Sequence, residues 1–175
     1  GAELAQRGHA IEVRHAMRYG TPSIAQVMDE LRGAGATRVL VVSAYPQYAG
    51  ATSGSVADAL HQWALGARWV PELRSMGQYH DDPGYIDALA IRLQQHWQQH
   101  SPAERLVLSF HGVPERSLHL GDPYHCQCHK TARLLRERLG LPADKVLVTF
   151  QSRFGKAKWL EPYTEPTLRE LAAQG

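Results

Sequence analysis

The feature that most constrains this chain is its alternation of short β-branched apolar runs with longer amphipathic stretches. "RVLVV" and "LVLSF" are apolar at nearly every position, as strands covered on both faces are, whereas the segments between such runs repeat apolar residues at helical spacing. That order predicts βαβ units, right-handed crossovers and a mainly parallel sheet. Strands are expected at 11–15, 38–43, 69–73, 106–110 and 145–150, with helices at 23–32, 54–65, 84–100, 123–138 and 165–173. Thr21-Pro22 and Asp82-Pro83 each set a capping side chain beside a proline, which places two helix starts. "HSPAER", around Ser101 and Pro102, is the best boundary and divides a lobe over 1–102 from one over 103–175. No internal repeat and no low-complexity run is legible.

Composition narrows the class of partner. The 175 residues are 43% hydrophobic, enough for a packed core. Nineteen basic and 17 acidic side chains leave a formal charge of +2, with no basic tract of the kind that grips a phosphate backbone, so nucleic acid is not an expected partner. No apolar stretch approaches the roughly 18 residues needed to span a bilayer. Cys126 and Cys128 stand one residue apart, which suits neither a mutual disulfide nor a disulfide framework; a reduced, cytoplasmic setting is expected. The chain opens in "GAELAQRGHA" without a methionine and stops at "LRELAAQG", and both ends read as cuts in a longer protein.

In an open parallel sheet, ligands bind beyond the carboxyl ends of the strands. Here those ends run into "MRYGTP", "AYPQYAGATSGS", "HGVP" and "QSRFG". Arg, Tyr, Gln and His converge there with little carboxylate. The implied cleft is aromatic and basic, suited to a large flat anionic ligand.

In this order, "MRYG", "YPQY", "SFHGVP", "GDPY", "FQSRFG" and "WLEPYT" resemble the ferrochelatase family, and "TFQSRFG" is most similar to its proteobacterial branch. The resemblance covers nearly the whole chain. It implies an α/β, chelatase-like fold of two Rossmann-like lobes, parallel sheets flanked by helices, both lobes incomplete here. The chain would hold the later part of the first lobe and the earlier part of the second. It would lack the family's opening strand, with its porphyrin-contacting loop, and the later segment with the catalytic glutamate. The implied activity of the parent is insertion of ferrous iron, as substrate, into protoporphyrin IX to form protohaem, with weak or no turnover by the fragment. No iron–sulfur cluster is expected, because Gly50 stands where cluster-bearing members have a cysteine and two cysteines cannot supply four thiolates. Peripheral membrane contact of the parent belongs to the same expectation. Coproporphyrin or sirohydrochlorin as substrate, and a non-catalytic tetrapyrrole-binding fragment, are the alternatives.

Inserting a divalent ion into a porphyrin removes two pyrrole protons and strips water from the ion. Neutral imidazole accepts protons and binds metal near pH 7. A histidine ending a strand is often only a hydrogen-bonded structural group; the resemblance makes His111 the active-site base or the iron ligand, with the choice open. Arg18 and Tyr19 correspond to residues lining the porphyrin and metal-access side, where the arginine could equally be a salt-bridged strand end. Tyr45 and Gln47 lie in a segment that is either a pocket wall or a packed turn, and the resemblance favours the pocket. Arg153 is a candidate for a propionate, and Trp159 for the floor of the cleft or for core. Ser55 reads as part of a plain N-cap region. His125, Cys128 and His129 share nearly one helix face, acceptable geometry for a soft divalent ion, but three ligands without a fourth favour a solvent-facing helix over adventitious metal capture, with "GDPY" fixing the loop and starting the helix.

Overall fold

A computed structural model describes residues 1–174 and divides into two compact units: residues 1–43 with 51–76, and residues 44–50 with 77 onward. The first unit contains α1 (Ala2–Gln6), α2 (Ile24–Gly33), β1 (Arg38–Val42), α3 (Ser55–Gly66) and β2 (Glu72–Met76). β1 and β2 pair in parallel, from Arg38 opposite Glu72 to Val42 opposite Met76, with α3 as the crossover. Alternation along β1 turns Val39 and Val41 toward Ile24, Met28, Leu60 and Trp63, and leaves Leu40 and Val42 exposed. The Trp63 indole N–H donates to Asp29 at 3.0 Å, so the ring is buried without orphaning its donor.

The second unit contains α4 (Pro83–His100), β3 (Leu106–His111), a short α5 (Arg116–His119), α6 (Tyr124–Leu139), β4 (Val146–Gln151) and α7 (Thr164–Gln174). β3 and β4 are parallel, from Leu106 opposite Val146 to His111 opposite Gln151. Their core joins Ala49, Tyr124, Cys128, Phe150 and Leu160, with Phe110, Val113, Leu118 and Val148 packed against it. α6 ends at Gly140, whose φ of 67° is the left-handed cap that glycine adopts without a Cβ penalty.

The α/β class and the helices stand as expected. The strand expected at 11–15 does not form: Ile11 and Val13 are 58% and 53% exposed, and among the described residues no strand lies beside them. Alternation without a partner satisfies no backbone groups, so it makes no strand. β2 lies three residues later than expected, because its register is set by Arg38 opposite Glu72; Trp69 and Val70 remain in the approach to it. Asp82 caps α4 by accepting from the Tyr85 N–H at 3.0 Å, as its proline suggested. Thr21 does not cap α2; Ser23 does, accepting from the Gln26 N–H. α4, assigned from sequence to the first lobe, packs on α6 in the second unit, with Arg138 paired to Asp87.

Candidate functional site

β3 carries His111 to its carboxyl end, and the residue that follows can only be small. A Cβ on Gly112 would lie 2.9 Å from the Gln151 carbonyl oxygen and 3.1 Å from Trp159 Cε3. The Gly112 N–H donates to that same carbonyl at 2.8 Å, extending the ladder by one bond beyond the last strand pair. "HGVP" is then stitched to the "KWL" segment, as Leu160 N–H donates to Val113 at 3.0 Å and Glu115 N–H to Lys158 at 3.0 Å. This clamps Trp159, 5% exposed, beside Gly112, with Phe154 edge-on at 4.8 Å.

From the other side, the buried Tyr124 donates its hydroxyl to the His111 carbonyl at 2.9 Å. Burial, with the neighbouring Cys128, pushes the Tyr124 phenol far above its ordinary range, so it stays a donor. Cys128 lies against Tyr124 and burial pushes its thiol up to about 12. The His111 backbone is therefore held at its carbonyl and at the following N–H, while the residue is exposed. A base or ligand must present a ring on a fixed backbone, and that is the arrangement here.

The "GDPY" loop that supplies Tyr124 is fixed by Asp122. One carboxylate oxygen accepts the Tyr124 N–H at 3.0 Å and the other the Gly50 N–H at 2.7 Å, which ties the loop to the "YPQY" segment. In that segment Gln47 is buried and donates to Thr131 Oγ1 at 3.0 Å, while Tyr48 N–H donates to Gln127 Oε1 at 2.7 Å. Tyr45, by contrast, is 48% exposed.

In the first unit, Arg18 donates through Nε to the Ser55 carbonyl at 2.9 Å and to its hydroxyl at 2.6 Å, and its guanidinium sits 4.5 Å over the Tyr19 ring. Ser55 is thus the anchor of Arg18, and the cap role expected of its region is not performed: Gly54 precedes α3 with no side-chain bond. Tyr19 is left 71% exposed. Arg153, in the second unit, lies 5.2 Å over the Tyr163 ring.

The ferrochelatase family model matches residues 1–175. The chain belongs to the ferrochelatase family. It is 63% identical over 172 residues to a ferrochelatase of Polaromonas sp. and 66% identical over 172 residues to one of Methylibium petroleiphilum, each time across 98% of this chain and 47% of the relative. It therefore spans about half the length of the curated relatives it matches. Among solved structures, SirB from Bacillus subtilis with Fe3+ superposes with a TM-score of 0.69 at 18% identity, covering 97% of this chain and 62% of that one. That likeness shows the fold.

The structure brings His111 and Trp159 together through Gly112, and Arg18 and Tyr19 together through Ser55. Gln47 is engaged in the packing of its own segment on α6. Cys128 does not join His125 and His129 on an open face, because the helix turns its thiol into the core against Tyr124. Burial lowers the His129 pKa, and the nearby His125 lowers it further. The residue that sequence reasoning passed over is Tyr124. Only its packing against Cys128 was signalled, by an aromatic with a polar tip four residues ahead of a cysteine on one helix face; its bond to His111 was not. Among the described residues, no helix is long and apolar enough to cross a membrane.

Proposed function

We propose that the full-length protein containing this chain inserts ferrous iron into protoporphyrin IX, with iron and porphyrin both as substrates and protohaem as product. The observation that carries the reading is His111: an exposed residue at a strand's carboxyl end, its backbone held by Tyr124 on one side and by Gln151 through Gly112 on the other. Charge balance requires that two pyrrole protons leave as the divalent ion enters. An imidazole carried on so fixed a backbone accepts one such proton or holds the ion while its water is shed, and either role needs the neutral ring. Tyr19 and Tyr45 expose aromatic faces of the kind a macrocycle packs against. Arg18 and Arg153 are the groups assigned to propionates, and Trp159 to the floor beneath His111. Gln47 acts by holding the Tyr45 segment in place.

The activity belongs to the whole protein, and the 175-residue chain turns over weakly or not at all. A cytoplasmic location fits its two free cysteines, and peripheral membrane contact belongs to the parent. The test is anaerobic iron insertion by the full-length protein, followed as loss of porphyrin fluorescence. His111→Ala should lower the rate by about a hundredfold or more, the scale of a lost proton-transfer group. Insertion unchanged in that variant removes His111 from the chemistry. Insertion absent from the wild type, with turnover of coproporphyrin or sirohydrochlorin instead, reassigns the substrate.

A further inference from the structure

α6 carries two imidazoles that the proposed chemistry does not use. His125 and His129 are one helical turn apart, with ring centroids 4.5 Å apart and planes at 53°. Both lie over Phe150, His125 stacked at 5.8 Å and 23° and His129 at 6.4 Å. Phe150 is 1% exposed and belongs to the core of β3, β4 and α6, so the pair rests on a rigid aromatic floor.

The chain contains its own control for this geometry. His96 and His100 on α4 have the same spacing, with ring centroids again 4.5 Å apart. Both are exposed and lie in the last turns of the helix, where fraying competes with any fixed arrangement. Spacing is common to the two pairs, and the ordered floor distinguishes the first.

We propose that His125 and His129 form a metal site separate from His111: a two-imidazole chelate for a divalent first-row transition ion, with water in its remaining positions. Imidazole is a ligand for ions of this class, and two of them one turn apart on a helix can close on one ion. Ordering both rings before the ion arrives removes part of the entropy that a chelate otherwise costs. Among the described residues, no group of three or more His, Cys, Asp and Glu could hold an ion. The site is accordingly open and exchangeable. Copper(II) should bind more tightly than zinc, and zinc more tightly than ferrous iron, in the order usual for nitrogen ligands.

The test is binding, read independently of turnover, in full-length protein carrying His111→Ala so that His111 cannot contribute. Titration with copper(II), monitored by calorimetry and by the nitrogen couplings in the electron paramagnetic resonance spectrum, should show one tight equivalent bound by two nitrogens. Adding His129→Ala, a change at an exposed residue that should leave folding intact, should weaken that equivalent by about tenfold or more and remove one nitrogen. Adding His96→Ala and His100→Ala together should leave it unchanged. Survival of the two-nitrogen equivalent in the His129→Ala protein overturns the proposal, as does its disappearance with His96 and His100. His125→Ala, checked for folding by circular dichroism, should reproduce the His129→Ala result.

Discussion

Two loops in this chain have the same backbone plan and different surroundings. In the first unit, Met17 donates its N–H to Pro22 at 2.8 Å, bridges Ser23 in parallel, and is followed by Arg18 and then α2. In the second, Phe150 donates to Pro162 at 2.9 Å, bridges Tyr163 in parallel, and is followed by Arg153 and then α7. Each arginine lies over a tyrosine ring, and each loop closes on a cis proline. The segment leading into the second loop is β4, paired along its length with β3 and burying Thr149 and Phe150. The segment leading into the first is 11–15, exposed and unpaired among the described residues, and its Met17 is 40% exposed. The same backbone plan therefore forms whether or not the segment before it is paired in a sheet, the first loop being tied down through Arg18 and Ser55 instead. What changes between the two is how firmly the loop is tied to a core.

The sharpest way to break this contrast is chemical. If the second loop is sealed by core, Cys128 beneath it should react with a thiol reagent at neutral pH at least about a thousandfold more slowly than exposed Cys126, since its thiol is pushed up to about 12 and reaction needs the thiolate. Titration should count one fast thiol in the native chain and two in denaturant. Two fast thiols in the native chain would mean that the core around Phe150 is open.

A smaller effect tests the loops directly. Phe150→Ala should cost about 3–5 kcal/mol in urea unfolding, the range for a buried aromatic, and Met17→Ala, at the matching bridge, under about 1 kcal/mol. Equal losses would show that the matched backbone, rather than burial, sets the stability of both loops.

The smallest effect concerns a polar group buried in the second unit. His80 is 7% exposed with Nδ1 unpartnered, and desolvation lowers its pKa, helped by Lys130 and opposed by Asp81. With the folded value below the unfolded one, the unfolded chain binds the extra proton. Stability should then fall as pH drops through about 6.5, by at most about 1.4 kcal/mol per pH unit for one proton. His80→Gln should remove that slope, and a slope unchanged by the substitution would assign it to other groups.

Much of the fold was legible because helices and buried strands write periodicity into adjacent residues. The limits of α6 and β3 came within a residue of expectation for that reason. His111 was legible as a histidine ending an apolar run. Tyr124 as its support was not, since the bond between them joins a side chain to a backbone atom 13 residues away. The matched loops were also hidden: their likeness lies in bonds such as Met17 to Pro22 and Phe150 to Pro162, across spans of different length.

The sequence by itself determined most of the alternation of helix and strand, the residues that follow β1, β3 and β4, and the family, because each depends on local order and side-chain chemistry. Tertiary structure alone decided that 11–15 is not a strand while 146–151 is, that Cys128 faces Tyr124 instead of a metal, and that Ser55 anchors Arg18. Each of those depends on which partner lies alongside in space, and a backbone ladder, a buried thiol and a bonded guanidinium are all set by the partner as much as by the residue.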